Sequence, residues 1–276
     1  HRYPDVPRAV SAEGGIHYHL ETARLAHEQG MHYFASAYGY NIPSFMSEFG
    51  ARPSMNNEGK PYTGREVFPC SLDIPYYQKW FRDPLVKLAK TGWVYGVQLD
   101  WEFYAGGGEA GVCYCDDCFQ IFLKEQQIDR SLPDPTSRYA WLENQHLAQT
   151  YKLTYRRRRV EMFRQMANDV RRVRPNFMFS GYHMYFHPEI AAGLHSEEVP
   201  FMLLDSRHYT ENQTRPWWDS YNEYDRSHGY MTIGGSWDHT MFGGQPESHV
   251  SLPQWLYETA MHRDGYWLWH EHEYTP

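Results

Sequence analysis

The chain of 276 residues lacks any excess of positive charge and any long apolar run. Its formal net charge is −8 at pH 7 and its pI is near 6.0. Nucleic-acid binders need a basic face, so nucleic-acid partners are not expected. The one basic run, at residues 156–159, falls in a long helical pattern and indicates a solvated helix face. Because no apolar stretch is long enough to span a bilayer, no membrane partner is expected either.

The chain also lacks an internal repeat and a low-complexity segment. It begins with His1 rather than Met, and we therefore expect a processed or truncated N-terminus. We expect a soluble protein without a transmembrane segment. The sequence leaves its localisation and any homo-oligomeric state open.

Aromatic residues, by contrast, are abundant at 17% of the chain, and apolar residues make up 41%. The apolar content is sufficient for a hydrophobic core. Tryptophan and tyrosine form flat platforms for sugar rings, but they also fill ordinary cores. Composition alone does not decide between these two uses.

Hydrophobic periodicity predicts strands and helices in alternation, which is typical of βα units with a parallel sheet. The predicted strands span residues 32–40, 93–104, 176–184, 200–208, 230–236 and 266–270. The predicted helices span residues 16–29, 76–90, 118–127, 138–173 and 252–263. This pattern favours an α/β fold of the (β/α)8 TIM-barrel type, in one domain over residues 1–276, although six strands are fewer than the eight of a full barrel.

Chemistry in such barrels takes place at the carboxyl ends of the strands. Among the residues there, Glu102, Asp238 and Glu271 are the catalytic candidates, because acids at strand ends suggest catalysis. The substrate-binding candidates are polar or aromatic residues at the same strand ends: Asp100, Tyr182, His183, Asp205, His208, Trp237, His239, Trp269 and His270. Carboxylates, imidazoles and indoles on one face suit a polar, ring-shaped substrate, so we expect an oligosaccharide or polysaccharide.

All four cysteines lie close to this region in sequence. Cys113, Cys115 and Cys118 form a C-x-C-x-x-C cluster, and Cys70 precedes it in a loop rich in Pro, Gly and Asn. Four thiolates within tetrahedral reach make a closed structural zinc site. Disulfides and unrelated core cysteines are the alternatives, although a Cys-x-Cys disulfide would be strained. A Zn²⁺ ion here would join the loops at residues 41–75 and 105–118 and support the catalytic site without taking part in the chemistry.

Several segments, in the right order, resemble the glycoside hydrolase family 42 β-galactosidases of clan A. They are HLETARLAHEQGMHYFASAYGYNIPSFM from His19, GREVFPCSLDIPYY from Gly64, VQLDWEFY from Val97, CYCDDCFQIF from Cys113 and the stretch from Leu252 to Trp269. The resemblance implies a TIM barrel whose first one or two strands are missing from this chain. It also implies a zinc-binding cysteine set and a general acid/base at Glu102.

The chain departs from the family pattern at two places. Trp101 stands where the family has asparagine, and the seventh strand, YMTIGGSWDHT, has no glutamate for the nucleophile. Asp238 is the nearest carboxylate there, and Glu271 follows the eighth strand. The D-W-E at residues 100–102 also resembles the end of the chitinase-like family 18 motif, but that motif needs aspartates where this chain has Tyr95 and Gln98.

Three functional hypotheses follow from these patterns. The first is a glycoside hydrolase that uses Glu102 with a second carboxylate. The second is a carbohydrate-binding barrel without catalysis, motivated by the missing glutamate. The third is a metal-dependent hydrolase that uses histidines such as those of the run H-E-H-E at residues 270–273, although alternate strand positions point to opposite faces.

Overall fold

The described residues form an eight-stranded mixed sheet with helices packed against it, seen in a computed structural model. The structure describes residues 11–13, 16–38, 50–62, 69–70, 72–100, 112–182, 188–205, 225–236 and 264–268. The strands follow one another in the sheet in the order of the chain. They are β1 (Ser11–Glu13), β2 (Ile16–Tyr18), β3 (Tyr33–Tyr38), β4 (Val94–Asp100), β5 (Met178–Tyr182), β6 (Met202–Asp205), β7 (Met231–Ser236) and β8 (Gly265–Leu268).

The helices connect the strands or form a separate layer beside them. They are α1 (Leu20–Glu28), α2 (Ile74–Tyr77), α3 (Asp83–Lys90), α4 (Asp116–Glu125), α5 (Arg138–Asn144), α6 (Ala148–Arg171) and α7 (Pro188–Leu194). A π-helical segment, Gln78–Arg82, joins α2 to α3, and a short 3-10 helix, Pro135–Ser137, precedes α5. In the described part of the chain, no helix is both long enough and apolar enough to cross a membrane.

The six predicted strands are confirmed, and β3 to β8 all pair in parallel. This arrangement is a partial (β/α)8 barrel. The antiparallel pairs β1–β2 and β2–β3 were not predicted. The helix expected at residues 16–29 is in fact β2 followed by α1. Helix α1 begins only at Leu20, because the Nδ1 atom of His19 accepts the backbone N–H of Thr22 at 3.0 Å and caps the first turn.

The helix predicted at residues 76–90 contains a change of helical type near Pro84. Proline has no backbone N–H, so the ordinary bond to the residue four positions earlier is lost. Just before Pro84, one turn of the helix contains an extra residue, because the N–H of Asp83 bonds to the carbonyl of Gln78 five positions earlier. The π-helical turn therefore lets the helical path continue through the proline, and it places Trp80 and Phe81 in the core.

The long helical region predicted at residues 138–173 is two helices, α5 and α6. The break between them falls at His146, whose φ of 57° lies in the left-handed region. The backbone N–H of Leu147 then bonds to the carbonyl of Leu142, which closes the turn. The helix predicted at residues 252–263 lies outside the described residues.

The buried side chains form a main core between the sheet and the helices, and a second core beside it. Phe81 lies at the centre of the main core, with ring centroids 6.3 Å from Phe163 of α6 and 6.2 Å from Phe179 of β5. The second core joins α4, α5 and α6 and contains Cys70, Cys113 and Cys118. The cysteines are therefore part of a packed aromatic layer rather than of an open loop.

Candidate metal centre and strand-end face

The four cysteines converge from two separate segments of the chain. Cys70 lies just before the Asp73 N-cap of α2, while Cys113, Cys115 and Cys118 surround the start of α4. All four Sγ atoms lie within 4.8 Å of one another. The Sγ of Cys70 is 3.4 Å from that of Cys118 and 3.9 Å from that of Cys115.

These separations suit a shared ion better than a covalent bond between sulfurs. A disulfide holds its sulfurs about 2.05 Å apart, and all four cysteines are free. In a tetrahedral Zn²⁺ site, Zn–S bonds of about 2.3 Å place the sulfurs about 3.8 Å apart. The two measured separations lie on either side of that value. The donor set, four sulfurs at tetrahedral spacing, therefore fits a closed metal site with no position left for substrate.

Hydrogen bonds distribute the protons unequally over the cluster. Interactions with Cys113, Cys118 and Cys70 lower the pKa of the Cys115 thiol far below its ordinary value. Hydrogen bonds to neighbouring cysteines raise the pKa of Cys70 and Cys118, and burial adds to that increase. The Cys113 sulfur also accepts the backbone N–H groups of Met55, at 3.3 Å, and of Cys115, at 3.4 Å. A bound cation would displace the remaining thiol protons, as metal binding to cysteine requires.

The aromatic layer of the second core fixes the backbone around these sulfurs. The hydroxyl of Tyr151, on α6, donates to the carbonyl of Cys113 at 2.5 Å. The ring of Tyr151 stacks on Tyr114 with centroids 5.2 Å apart and meets Phe119 at 5.4 Å. The chain between Cys113 and Cys118 is thereby held against α6.

A buried arginine, Arg138 at the start of α5, secures the same turn. Its side chain is 1% exposed. It donates to the carbonyl of Tyr114 at 2.6 Å, to the Asp116 carboxylate at 2.6 Å and to the carbonyl of Pro133 at 3.1 Å. The sequence analysis missed Arg138 and Tyr151, since neither lies near the cysteines in sequence and neither belongs to the C-x-C-x-x-C pattern.

The carboxyl ends of β3 to β8 lie along one edge of the sheet. Tyr38 pairs with Asp100, and Leu99 pairs with Gly181, so Tyr182 is level with Asp100. The last residue of β6, Asp205, follows directly after the partner of Tyr182. Three predicted substrate-binding positions, Asp100, Tyr182 and Asp205, therefore end neighbouring strands at one edge.

The other predicted site residues lie outside the described residues. They are the catalytic candidates Glu102, Asp238 and Glu271 and the binding candidates His183, His208, Trp237, His239, Trp269 and His270. In sequence, each follows the end of a described strand by one to three positions. The last residues of β7 and β8, Ser236 and Leu268, are themselves paired.

The basic run at residues 156–159 is on α6 and is largely neutralised by acids. Arg157 pairs with Glu125 and, at 2.8 Å, with Glu161, and Arg158 also pairs with Glu125. Unlike its neighbours, Arg159 is only 2% exposed and lies 3.7 Å from Glu189. The run is therefore a helix face that is salt-bridged at several points, with one member buried, rather than a free basic patch.

Known proteins share this fold at low sequence identity. The polyextremophilic β-galactosidase from the Antarctic haloarchaeon Halorubrum lacusprofundi is similar, with a TM-score of 0.54 and 16% identity over 90% of this chain and 44% of that one. The β-galactosidase from the psychrophilic Marinomonas ef1 has a TM-score of 0.50 and 10% identity over 78% of this chain and 40% of that one. The chain thus spans less than half the length of either enzyme. No family model and no curated protein matches it.

Proposed function

We propose that this chain is a catalytic (β/α)8 domain of a glycoside hydrolase, acting on an oligosaccharide or polysaccharide through two carboxyl groups. The observation that carries the proposal is the alignment of Asp100, Tyr182 and Asp205 at one edge of the sheet. Every predicted catalytic acid follows a strand that ends at that edge. The fold shared with two β-galactosidases supports the same function class.

In the proposed mechanism, Glu102 is the general acid/base. It would protonate the leaving oxygen, while a second carboxylate either attacks the sugar or activates water. Asp238 is our first choice for that second group, because it follows β7 by two positions, and Glu271, three positions after β8, is the second choice. A β-galactosidase-like specificity is the finer form of the proposal. Retention or inversion would depend on the separation of the two carboxyl groups.

We further propose that the four cysteines hold a structural Zn²⁺ ion. Support comes from sulfur separations close to those of a tetrahedral thiolate site, and from the absence of disulfides among the four. The ion would tie the Cys70 segment to the start of α4. Since four protein ligands leave no open position, this site does not favour a metal-dependent hydrolase centred on it.

The test is the Glu102→Gln variant, assayed on a panel of aryl glycosides and mixed oligosaccharides. We expect turnover of the unactivated oligosaccharides to fall about 100- to 10,000-fold, because the neutral amide cannot donate a proton to the leaving oxygen. Zinc content and thermal unfolding should match those of the unaltered protein. Asp238→Asn and Glu271→Gln, assayed on the same panel, would identify the second group, and NMR of the first product anomer would give the stereochemistry. Unchanged turnover in Glu102→Gln would refute the assignment.

A second candidate function is carbohydrate binding without catalysis. It is favoured by one feature, the absence of glutamate in the seventh strand and in the four residues after it. Calorimetric binding of a glycan by the unaltered protein, with no product after long incubation, would support this alternative over hydrolysis.

A further inference from the structure

The metal centre has a charged neighbour that the cysteine pattern does not contain, Arg52. Its side chain is 37% exposed and lies between the two segments that carry the cysteines. On one side its Nε is 3.5 Å from the carboxylate of Asp73, which caps α2 three residues after Cys70. On the other side it pairs with Asp117, which directly precedes Cys118. The guanidinium group therefore spans the same gap that a metal ion would close.

The backbone of residues 52–55 makes the same connection independently of this side chain. The carbonyl of Arg52 accepts the N–H of Cys70 at 2.7 Å, and its own N–H donates to Asp73 at 2.7 Å. Three residues later, the carbonyl of Met55 accepts the N–H of Tyr114 at 2.9 Å. Replacing the Arg52 side chain leaves these bonds in place, so its effect can be separated from that of the backbone.

The ion pairs with Asp73 and Asp117 hold the guanidinium group beside the cysteine cluster. Burial would lower the pKa of Arg52, but the negative charge of Asp73, Cys70 and Cys115 raises it. The cation of Arg52 therefore favours negative charge on the neighbouring sulfurs.

The negative charge of an occupied site would be offset by a cation beside it. Four thiolates around a divalent ion carry a net charge of −2, and the carboxylates of Asp73 and Asp117 add to it. Arg138 is also nearby, but its cation is directed to Asp116 and to backbone carbonyls. Groups that hydrogen-bond metal ligands tune how tightly the ligands bind the metal.

We propose that Arg52 is a positioning residue for the metal. Its cation neutralises part of the thiolate charge and ties the two cysteine segments together, and it thereby sets the affinity of the site for the ion. This inference rests on the proposed zinc site. It goes beyond the four ligands, because it assigns metal retention to a residue outside the cysteine pattern.

The experiment is a chelator competition for Zn²⁺ on the whole chain, with Arg52→Gln and Arg52→Lys as variants. We expect Arg52→Gln to weaken zinc binding about 10- to 100-fold, the range found for lost neighbours of metal ligands. Arg52→Lys keeps the charge and should recover part of the loss. Lys60→Gln is the matched control, because Lys60 lies on the same segment, is 72% exposed and pairs only with Glu58 at 3.0 Å among the described residues.

Substitution of cobalt for zinc gives a spectroscopic band whose energy a general loosening of the fold would not change. Loss of the cation makes the neighbouring thiolate sulfurs stronger electron donors, so the sulfur-to-cobalt charge-transfer band of Arg52→Gln should shift to lower energy. Should Arg52→Gln fail to fold, Arg52→Lys, which keeps the cation but not the planar fork that pairs with two carboxylates, carries the same test through a smaller loss of affinity.

Three results are distinguishable. If the unaltered protein does not bind one Zn²⁺ ion per chain, the proposed metal site is wrong and the inference about Arg52 is wrong with it. If it binds zinc but Arg52→Gln stays within twofold of it, only the role of Arg52 is overturned. Equal losses in Arg52→Gln and Arg52→Lys with an unshifted cobalt band would also overturn it, since the effect would then be mere loosening.

Discussion

Replacing Arg138 by methionine should destabilise the protein substantially, because this cation is almost fully buried and satisfied. It makes three hydrogen bonds, two of them to the backbone carbonyls of Tyr114 and Pro133. The third, to Asp116, joins a carboxylate whose side chain is 64% exposed, so solvent screening reduces its contribution. Hydrogen bonds to charged groups contribute about 1.5–3 kcal/mol each. The two carbonyl bonds therefore suggest a loss of about 3 kcal/mol, since methionine fills much of the volume but donates nothing.

Thermal unfolding followed by circular dichroism measures this effect directly. For a chain of this length, 1 kcal/mol lowers Tm by about 2 °C, so Arg138→Met should unfold about 6 °C below the unaltered protein. Arg172→Met is the control, since Arg172 is 71% exposed and pairs with Asp169 at 3.0 Å, an interaction that contributes less than about 1 kcal/mol. A fall in Tm below about 2 °C for Arg138→Met, or an equal fall for both variants, would refute the reasoning.

Two further predictions concern a buried hydroxyl and a half-buried imidazole. Tyr151→Phe leaves the carbonyl of Cys113 without the hydroxyl that donates to it at 2.5 Å, and it should lower the free energy of unfolding in denaturant by about 1–3 kcal/mol. Tyr139→Phe is the control and should change that free energy by less than about 0.5 kcal/mol. Equal losses in the two variants would contradict the prediction. Burial and the charge of Arg171 lower the pKa of His195, whose Nδ1 accepts the N–H of Phe201 at 3.2 Å. The neutral ring is thus favoured in the folded state. Its contribution to the free energy of unfolding is fully present above the unfolded-state pKa and is lost as the pH falls towards the lower folded-state pKa. His195→Asn should remove this part of the pH dependence of unfolding, and an unchanged dependence of stability on pH would contradict the assignment.

The six parallel strands could be predicted from the sequence because each is a short apolar run between turn residues. The convergence of the cysteines was also accessible, since three of them lie within six residues and the fourth is the only other thiol. The hairpin β1–β2 could not be predicted, because three-residue strands carry no measurable periodicity. The helix expected at residues 16–29 begins only at Leu20 for a related reason: Ile16 lies four positions before Leu20 and fits a helical spacing, but sheet pairing overrides it.

The supporting residues of the metal centre were beyond sequence reasoning for a different reason. Arg52, Arg138 and Tyr151 come from three segments that meet only after the chain folds. Arginine is typically exposed, so nothing in its local sequence marks Arg138 as a 1% exposed side chain. The packing of α5 and α6 against the cysteine turn places Arg138 and Tyr151, and the backbone hydrogen bond between Arg52 and Cys70 places Arg52.

The position of the metal centre along the chain links it to the proposed catalytic edge. The segment at residues 101–111 carries Glu102, and both residues that flank it are held. Asp100 at one end is fixed by its pairing with Tyr38, and Val112 at the other is 5% exposed and packed in the second core. Holding both ends of a loop removes conformations that a free segment would explore. A metal ion bound at the proposed site would secure Cys113, next to the end of that segment, without supplying any atom to the reaction, so the proposed four-thiolate site and the proposed two-carboxylate mechanism are compatible in one domain.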